Sequence, residues 1–250
     1  MPEKPYLSVI IISYNDDEII GDTIGAVTNF LATQNYPSEV IVSDGSSVKE
    51  KELATGKIVE KAKAKFPNIS FHHNQKSKGK GSLVRFGMGI ARGDYKLFMD
   101  HDNATPFEQI SKLLEAAKEN DIVLASRYIK GAKIVPKRSF LRTFVSRGGN
   151  IVINFILRLP FKDTRCGFKL YSVKAADIVF PRQLLEGFGF DDEVLVIARK
   201  HGLKITEVPV EWHDIETLKG IPSHVSLGDI FKSFLEMGQI KLNLWKGKYR

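Results

Sequence analysis

The chain has 250 residues, 43% hydrophobic and 26% charged, which supports a substantial core and excludes a disordered or fibrous protein. Its formal net charge of +8 favours anionic partners: nucleic acid, phosphorylated compounds or an acidic membrane surface. A single cysteine, Cys166, excludes an internal disulfide and points to a reducing compartment. No stretch approaches the ~20 apolar residues of a membrane span, and the run Leu7 to Ile12 is too short for a secretory signal.

Tyr6 to Ser13 reads as a buried strand, and Tyr14-Asn15-Asp16-Asp17-Glu18 opens a helix continued by Ile20, Ile24, Val27 and Leu31. Glu39 to Val42 is a second strand, stopped by the turn cluster Ser43-Asp44-Gly45-Ser46-Ser47. A Lys/Glu/Ala-rich helix to about Phe66 and a strand Ile69 to His72 form a third unit. Strand and helix alternating with short turns predict an α/β fold with a mostly parallel central sheet flanked by helices. Right-handed crossovers then bring Asp44 to the same sheet edge as the end of the next strand.

That strand is Leu97-Phe98-Met99, ending in Asp100-His101-Asp102. Two carboxylates one residue apart, at the carboxyl end of a buried strand, suit a hard divalent cation that also holds phosphate oxygens. They equally suit a polar turn with an Asp helix cap. Before them, Lys78-Gly79-Lys80-Gly81-Ser82 leads into a helix; it can seat a phosphate on free N–H groups or be a flexible turn. It lacks the spacing of a Walker A loop.

Phe107 to Lys118 reads as a helix and Asp121 to Ala125 as a strand ending at Ser126-Arg127-Tyr128. No acid occurs between Asp121 and Asp163, an interval that holds Arg127, Lys130, Lys133, Lys137, Arg138, Arg142, Arg147, Arg158 and Lys162. A helix is predicted from about Phe140 to Arg158, with Arg138, Arg142, Ser146 and Asn150 on one face. That face is either a phosphate receiver or a solvated basic surface. Asp163 to Tyr171 returns the chain towards the core, and Gly189-Phe190-Asp191-Asp192-Glu193 opens a helix to Lys200. A strand Ile205 to Val210 closes the domain, here drawn as residues 1–215. Residues 216–250 form a basic amphipathic extension, in which Leu227, Ile230, Phe231, Phe234 and Leu235 share a face. That helix either packs on its own domain or lies at a membrane surface with Trp245 and the terminal lysines as anchors.

Seven pieces carry a family resemblance: Ser13-Tyr14-Asn15, Ser43-Asp44-Gly45-Ser46, Gly79-Lys80-Gly81 with Val84-Arg85, Asp100-His101-Asp102, Ser126-Arg127-Tyr128, Asp163 to Leu170 and Phe190-Asp191-Asp192-Glu193. In this order and spacing, over roughly residues 6–215, the chain resembles family 2 glycosyltransferases of the GT-A fold. Within them it is similar to the dolichyl-phosphate glucosyltransferase and dolichol-phosphate mannosyltransferase branch. The resemblance implies a single GT-A domain, Rossmann-like, with an amphipathic C-terminal helix. It implies a metal-dependent hexosyltransferase that moves a hexose from UDP-glucose or GDP-mannose to a polyprenyl (dolichyl) phosphate with inversion.

On this resemblance Asp100 and Asp102 hold Mg2+ or Mn2+, with Asp100 also serving the donor and Asp102 the chemistry. Ser13, Tyr14, Asn15, Asp16, Asp44 and Lys80 bind the nucleotide sugar. Arg127, Arg142 and Ser146 take the lipid phosphate. Asp191, Asp192 or Glu193 orients the acceptor or acts as base, with Asp191 and Glu193 as the catalytic candidates. The chain departs from the family's pattern at Ser43 and Asp16, and at Ala104, where a Gln can complete the metal's coordination. The expected location is cytoplasmic, peripheral to the cytoplasmic face of a membrane. Two other readings are transfer to a saccharide hydroxyl, which leaves the basic interval without a task, and a non-enzymatic nucleic-acid binder. No recognition motif or aromatic interleaving supports nucleic acid as a partner. A nucleotidyltransferase would want a Gly-rich loop where Ser13 to Asp16 stands.

Overall fold

Leu7–Ser13 (β1) is buried along its whole length because it lies inside a sheet whose two faces are both covered. In the computed structural model, which describes residues 3–136, 148, 152–218 and 227–250, it is followed by α1 (Asp17–Leu31), β2 (Ser38–Asp44), α2 (Lys49–Lys63) and β3 (Ile69–His73). Next come α3 (Lys80–Ile90), β4 (Tyr95–Asp100), a 3-10 turn at Phe107–Gln109 with α4 (Ile110–Ala117), β5 (Ile122–Ser126), β6 (Lys133–Val135) and a helical stretch at residues 152–157 (α5). The chain continues through β7 (Phe168–Ser172), α6 (Val173–Val179), α7 (Phe190–Lys200), β8 (Ile205–Pro209), β9 (Glu211–His213), α8 (Ile215–Leu218) and α9 (Leu227–Trp245).

Seven strands form one sheet in the order β3-β2-β1-β4-β7-β5-β8. All its neighbours pair in parallel except β7, which runs antiparallel between β4 and β5. β6 and β9 form a separate parallel ribbon. The architecture is therefore the mostly parallel, helix-flanked α/β fold that the sequence predicts. β7 and the ribbon go beyond the sequence reading, which had residues 163–171 only returning to the core.

Strand residues alternate between two cores. Val9, Ile11, Leu97, Met99 and Leu170 face α1, α2 and α4. Ile10, Phe98, Leu124 and Tyr171 face α3, α6 and α7. Ile240 of α9 and Tyr249 behind it belong to this second core. The C-terminal helix thus packs on the domain through Met237, Ile240 and Asn243. Its other side, with Phe234, Leu235, Leu242 and Trp245, is exposed. Side chains of residues 227–231 lie outside the described set, as do residues 137–147, so the basic helix face carrying Arg138, Arg142, Ser146 and Asn150 is not described.

Candidate active site

Register fixes the site. Ser13 pairs with Asp44 and Ile12 with Asp100, so β1, β2 and β4 end in one row and their turns meet on one edge. Asn15 has φ +58°, a left-handed conformation that Asn tolerates better than most residues. From there its side chain accepts the N–H groups of Ser47 and Val48 (3.1 and 3.2 Å), while its own N–H donates to Ser46 Oγ at 2.9 Å. The β1 and β2 turns are thereby locked together. Tyr14 is exposed and donates to Ser47 Oγ at 3.2 Å.

Asp44 is fully buried and already served: Ser46 Oγ donates to Oδ1 at 2.7 Å, Ser46 N–H to Oδ2 at 3.1 Å, and His73 Nδ1 lies 2.8 Å from Oδ2. Asp16 lies 3.1 Å from His101 Nε2, and this bond holds its carboxyl below the usual range. Ser13 Oγ is buried without a hydrogen-bond partner among the described residues.

Lys80 starts α3. Gly79 has φ +145°, and a Cβ there would sit 2.8 Å from the Glu186 carbonyl; a Cβ on Gly81 would meet Phe190 at 2.7 Å. These glycines let the first turn of α3 press against residues 185–190. Lys80 Nζ then lies 2.8 Å from Asp100 Oδ1 and over the Phe98 ring. Burial pulls this ammonium down, but Asp100, Asp191 and Asp102 outweigh it and hold its pKa above the ordinary value.

Asp100 and Asp102 line a cavity of about 10 Å3, room for one water molecule or ion, together with Asn103, Thr105, Gly167 and Trp212. Lys80 occupies Oδ1 of Asp100 and the Ala104 N–H occupies Oδ1 of Asp102 at 3.0 Å, leaving Oδ2 of each without a hydrogen bond among the described residues. Burial, then the neighbouring Asp100 charge, pushes the Asp102 carboxyl up. Hard oxygen donors around a space of one ion's size fit Mg2+ or Mn2+. No cluster of three or more His, Cys, Asp or Glu groups exists among the described residues.

The three acids that open α7 go to three places. Asp191 forms a buried ion pair with Lys169 of β7, whose ammonium also lies 5.1 Å from the centre of the Phe98 ring. Burial raises the Asp191 carboxyl against the pull of Lys169 and Lys80. Asp192 accepts from Thr164 Oγ1 at 2.7 Å and from Arg165 at 3.0 Å. Glu193 accepts the N–H groups of Leu184 and Leu185 (3.0 and 2.8 Å) and the Tyr249 hydroxyl at 2.7 Å, and burial raises its carboxyl. Asp191 thus sits in the electrostatic reach of Lys80, whereas Asp192 and Glu193 are occupied by structural partners.

Arg127 is bidentate on buried Asp163, at 2.7 and 2.8 Å, and its backbone N–H donates to the same carboxylate at 2.9 Å. Burial pulls the guanidinium down and Asp163 more than reverses it. Arg127 therefore has a protein counter-ion, the acid that closes the acid-free interval, and its other face stacks on Trp212. Arg142 and Ser146 lie outside the described residues. Cys166 is buried, its thiol pushed up to about 11 by burial, consistent with a packing role. Asn103 and Trp212 are site residues outside the seven pieces named above, while Asp163 and Lys169 lie within one of them that was assigned no role at the site.

Residues 8–180 match the model of the family described as Glycosyl transferase family 2. A dolichyl-phosphate beta-glucosyltransferase of Dictyostelium discoideum is 31% identical over 256 residues, covering 97% of this chain and 77% of the relative. Mannosyl-3-phosphoglycerate synthase from Rubrobacter xylanophilus superposes with a TM-score of 0.67 at 14% identity, over 98% of this chain and 76% of that one. Glucosyl-3-phosphoglycerate synthase from Mycobacterium tuberculosis, solved with Mn2+, UDP and glucosyl-3-phosphoglycerate, superposes with a TM-score of 0.60 at 15% identity, over 97% and 79%.

Proposed function

The chain belongs to glycosyl transferase family 2, and from that premise we propose that it transfers glucose from UDP-glucose to dolichyl phosphate or a related polyprenyl phosphate. The observation that carries this reading is the 31% identity to a dolichyl-phosphate beta-glucosyltransferase across 97% of the chain. The UDP in the structural neighbour supports a uridine donor over GDP-mannose.

In this reading the donor lies along the edge formed by the ends of β1, β2 and β4. Tyr14 and the Asn15-locked turns receive the nucleoside, with Asp44 shaping that turn from beneath. Asp100 and Asp102 would hold a divalent ion, which when bound would supply positive charge to stabilise the departing nucleoside diphosphate. Lys80, kept charged by Asp100, adds a fixed cation beside it. Asp191, held by Lys169, orients the acceptor. The acceptor phosphate is already an anionic nucleophile: its oxygen bonds to the anomeric carbon as the bond from that carbon to the diphosphate breaks, inverting the centre. Arg142 and Ser146 remain the proposed acceptor-phosphate groups together with Arg127, whose guanidinium is fixed on Asp163.

No helix among the described residues is long and apolar enough to cross a membrane. The exposed stripe Phe234, Leu235, Leu242 and Trp245 on α9, flanked by Lys232, Lys241 and Lys246, supports peripheral attachment to an anionic membrane surface, on its cytoplasmic face. Because the inner side of α9 belongs to the core, point charges on the stripe test this better than deletion. Leu235→Glu with Trp245→Glu is expected to abolish flotation with anionic liposomes; unchanged flotation would refute attachment through α9.

The decisive experiment incubates the protein with labelled UDP-glucose or GDP-mannose, a polyprenyl phosphate and Mn2+, then extracts the organic phase. Lipid-borne glucose is the expected product. Label that passes only into a saccharide, or none from any sugar nucleotide, would overturn the proposal. Asp102→Ala is expected to lose transfer; near-normal activity would remove Asp102 from the metal site.

A further inference from the structure

Asn103 follows Asp102 and adopts φ +50°, a left-handed conformation in which few side chains are comfortable. Its carbonyl oxygen Oδ1 is buried and has no hydrogen-bond partner among the described residues. Leaving such an acceptor unpaired is unfavourable, and a bound ligand within its reach offsets that cost. The residue lines the same one-ion cavity as Asp100 and Asp102. In that cavity the two carboxylates each have one oxygen not engaged by Lys80 or the Ala104 N–H.

We propose that Asn103 is a third protein ligand of the divalent cation, offering Oδ1 beside Asp100 and Asp102. The inference rests on the metal reading above and deepens it. It answers a chemical shortfall: two carboxylates are few protein donors for a cation that prefers six oxygens, and Ala104 has no donor to give. A neutral amide oxygen also suits the electrostatics. Two carboxylates already line this cavity, and a third would add repulsion when the cation is absent. An amide adds a donor without adding charge. The left-handed backbone is then the local cost of placing a side-chain oxygen directly after the second acid.

The same backbone provides a clean test. Glycine adopts positive φ without penalty, so Asn103→Gly removes the oxygen and leaves the turn unstrained. Asn103→Asp keeps an oxygen in place. Mn2+ is titrated into the full chain in the presence of excess UDP, and the free hexa-aquo ion is followed by its electron paramagnetic resonance signal. This readout needs no catalysis. Asn103→Gly is expected to weaken Mn2+ binding about tenfold, a difference of about 1.4 kcal/mol, and Asn103→Asp is expected to restore it to wild-type strength or better. Mn2+ binding by Asn103→Gly equal to wild type would overturn the assignment while leaving the two-carboxylate site intact. Failure of the wild-type chain itself to bind Mn2+ would overturn the metal reading and this inference with it. Transfer from UDP-glucose in the absence of divalent ions separates that outcome from a failure of the glucosyltransferase reading.

Discussion

Gly167→Ala probes the site through one methyl group. Gly167 immediately precedes β7, and its carbonyl accepts the Asp100 N–H at 3.1 Å. A Cβ built on it meets the Asp100 carboxylate; the farther oxygen would lie only 2.9 Å away, and Cγ and the nearer oxygen are closer still. Ordinary contact begins at 3.4 Å. The carboxylate must therefore withdraw by about 1 Å or more, since the pairing of β4 with β7 limits movement of the backbone. A displacement of about 1 Å at a catalytic group costs on the order of a hundredfold in rate, and overpacking of this kind costs about 1–3 kcal/mol of stability. The variant is expected to remain folded, to lose about a hundredfold in kcat, and to bind Mn2+ more weakly because Asp100 is out of place. The assays are organic-phase transfer of labelled glucose, thermal melting and Mn2+ titration. Transfer within about threefold of wild type with unchanged Mn2+ affinity would refute the claim that Gly167 exists to make room for the Asp100 carboxylate.

Asp163→Ala strands the buried Arg127 guanidinium and is expected to cost about 3–5 kcal/mol in chemical denaturation. Because Arg127 overcomes the effect of burial to hold the Asp163 carboxyl below its usual range, the wild-type bridge stabilises above about pH 4 and fades as pH falls through the lowered value; the variant lacks that acid limb. Tyr249→Phe removes the hydroxyl that Glu193 accepts. Since Glu193 has a raised pKa, its protonated form is favoured in the folded state and stability falls as pH rises through the folded value; the variant raises that pKa further. A loss of about 1.5–3 kcal/mol at pH 7, shrinking at pH 4, is expected from melts at the two pH values, and an equal loss at both would refute ionised Glu193 as the partner. Gly89 lies on the exposed side of α3 with nothing within 4 Å of a built Cβ, so Gly89→Ala is expected to stabilise by about 0.5–1 kcal/mol, read as a raised Tm.

The parallel sheet and its edge of strand-end turns were legible because buried strands carry unbroken apolar runs that stop at polar clusters, as at Ser13, Asp44 and Asp100. The fates of Asp191, Asp192 and Glu193 were not. Consecutive helical residues point about 100° apart, so three adjacent acids must face different surroundings, and their partners at Lys169, Arg165 and Tyr249 are distant in sequence. The sequence shows the stretch through Lys169 only as a return of the chain towards the core. Only the central position of β7 buries both of its faces and turns Lys169 into an internal counter-ion. Asp163 likewise looked like the end of a basic interval and is the bridge for the arginine that starts it. The amphipathic pattern of residues 225–245 supported two readings, packing or surface, and the buried side of α9 shows the packing.

The antiparallel strand β7 also sets an order of assembly. Strands β1 to β4 join through successive crossovers, but the partner of β4 on its other side is β7, and Gly167 stands 67 residues after Asp100. Closing a loop of that length costs about 4 kcal/mol of chain entropy before any contact compensates it. During synthesis β4 therefore waits as an open sheet edge, the feature most prone to wrong pairing, until the chain beyond residue 172 emerges. Asp100 lacks its Gly167 wall through the same interval. The cavity between Asp100 and Asp102 is thus a late product of folding.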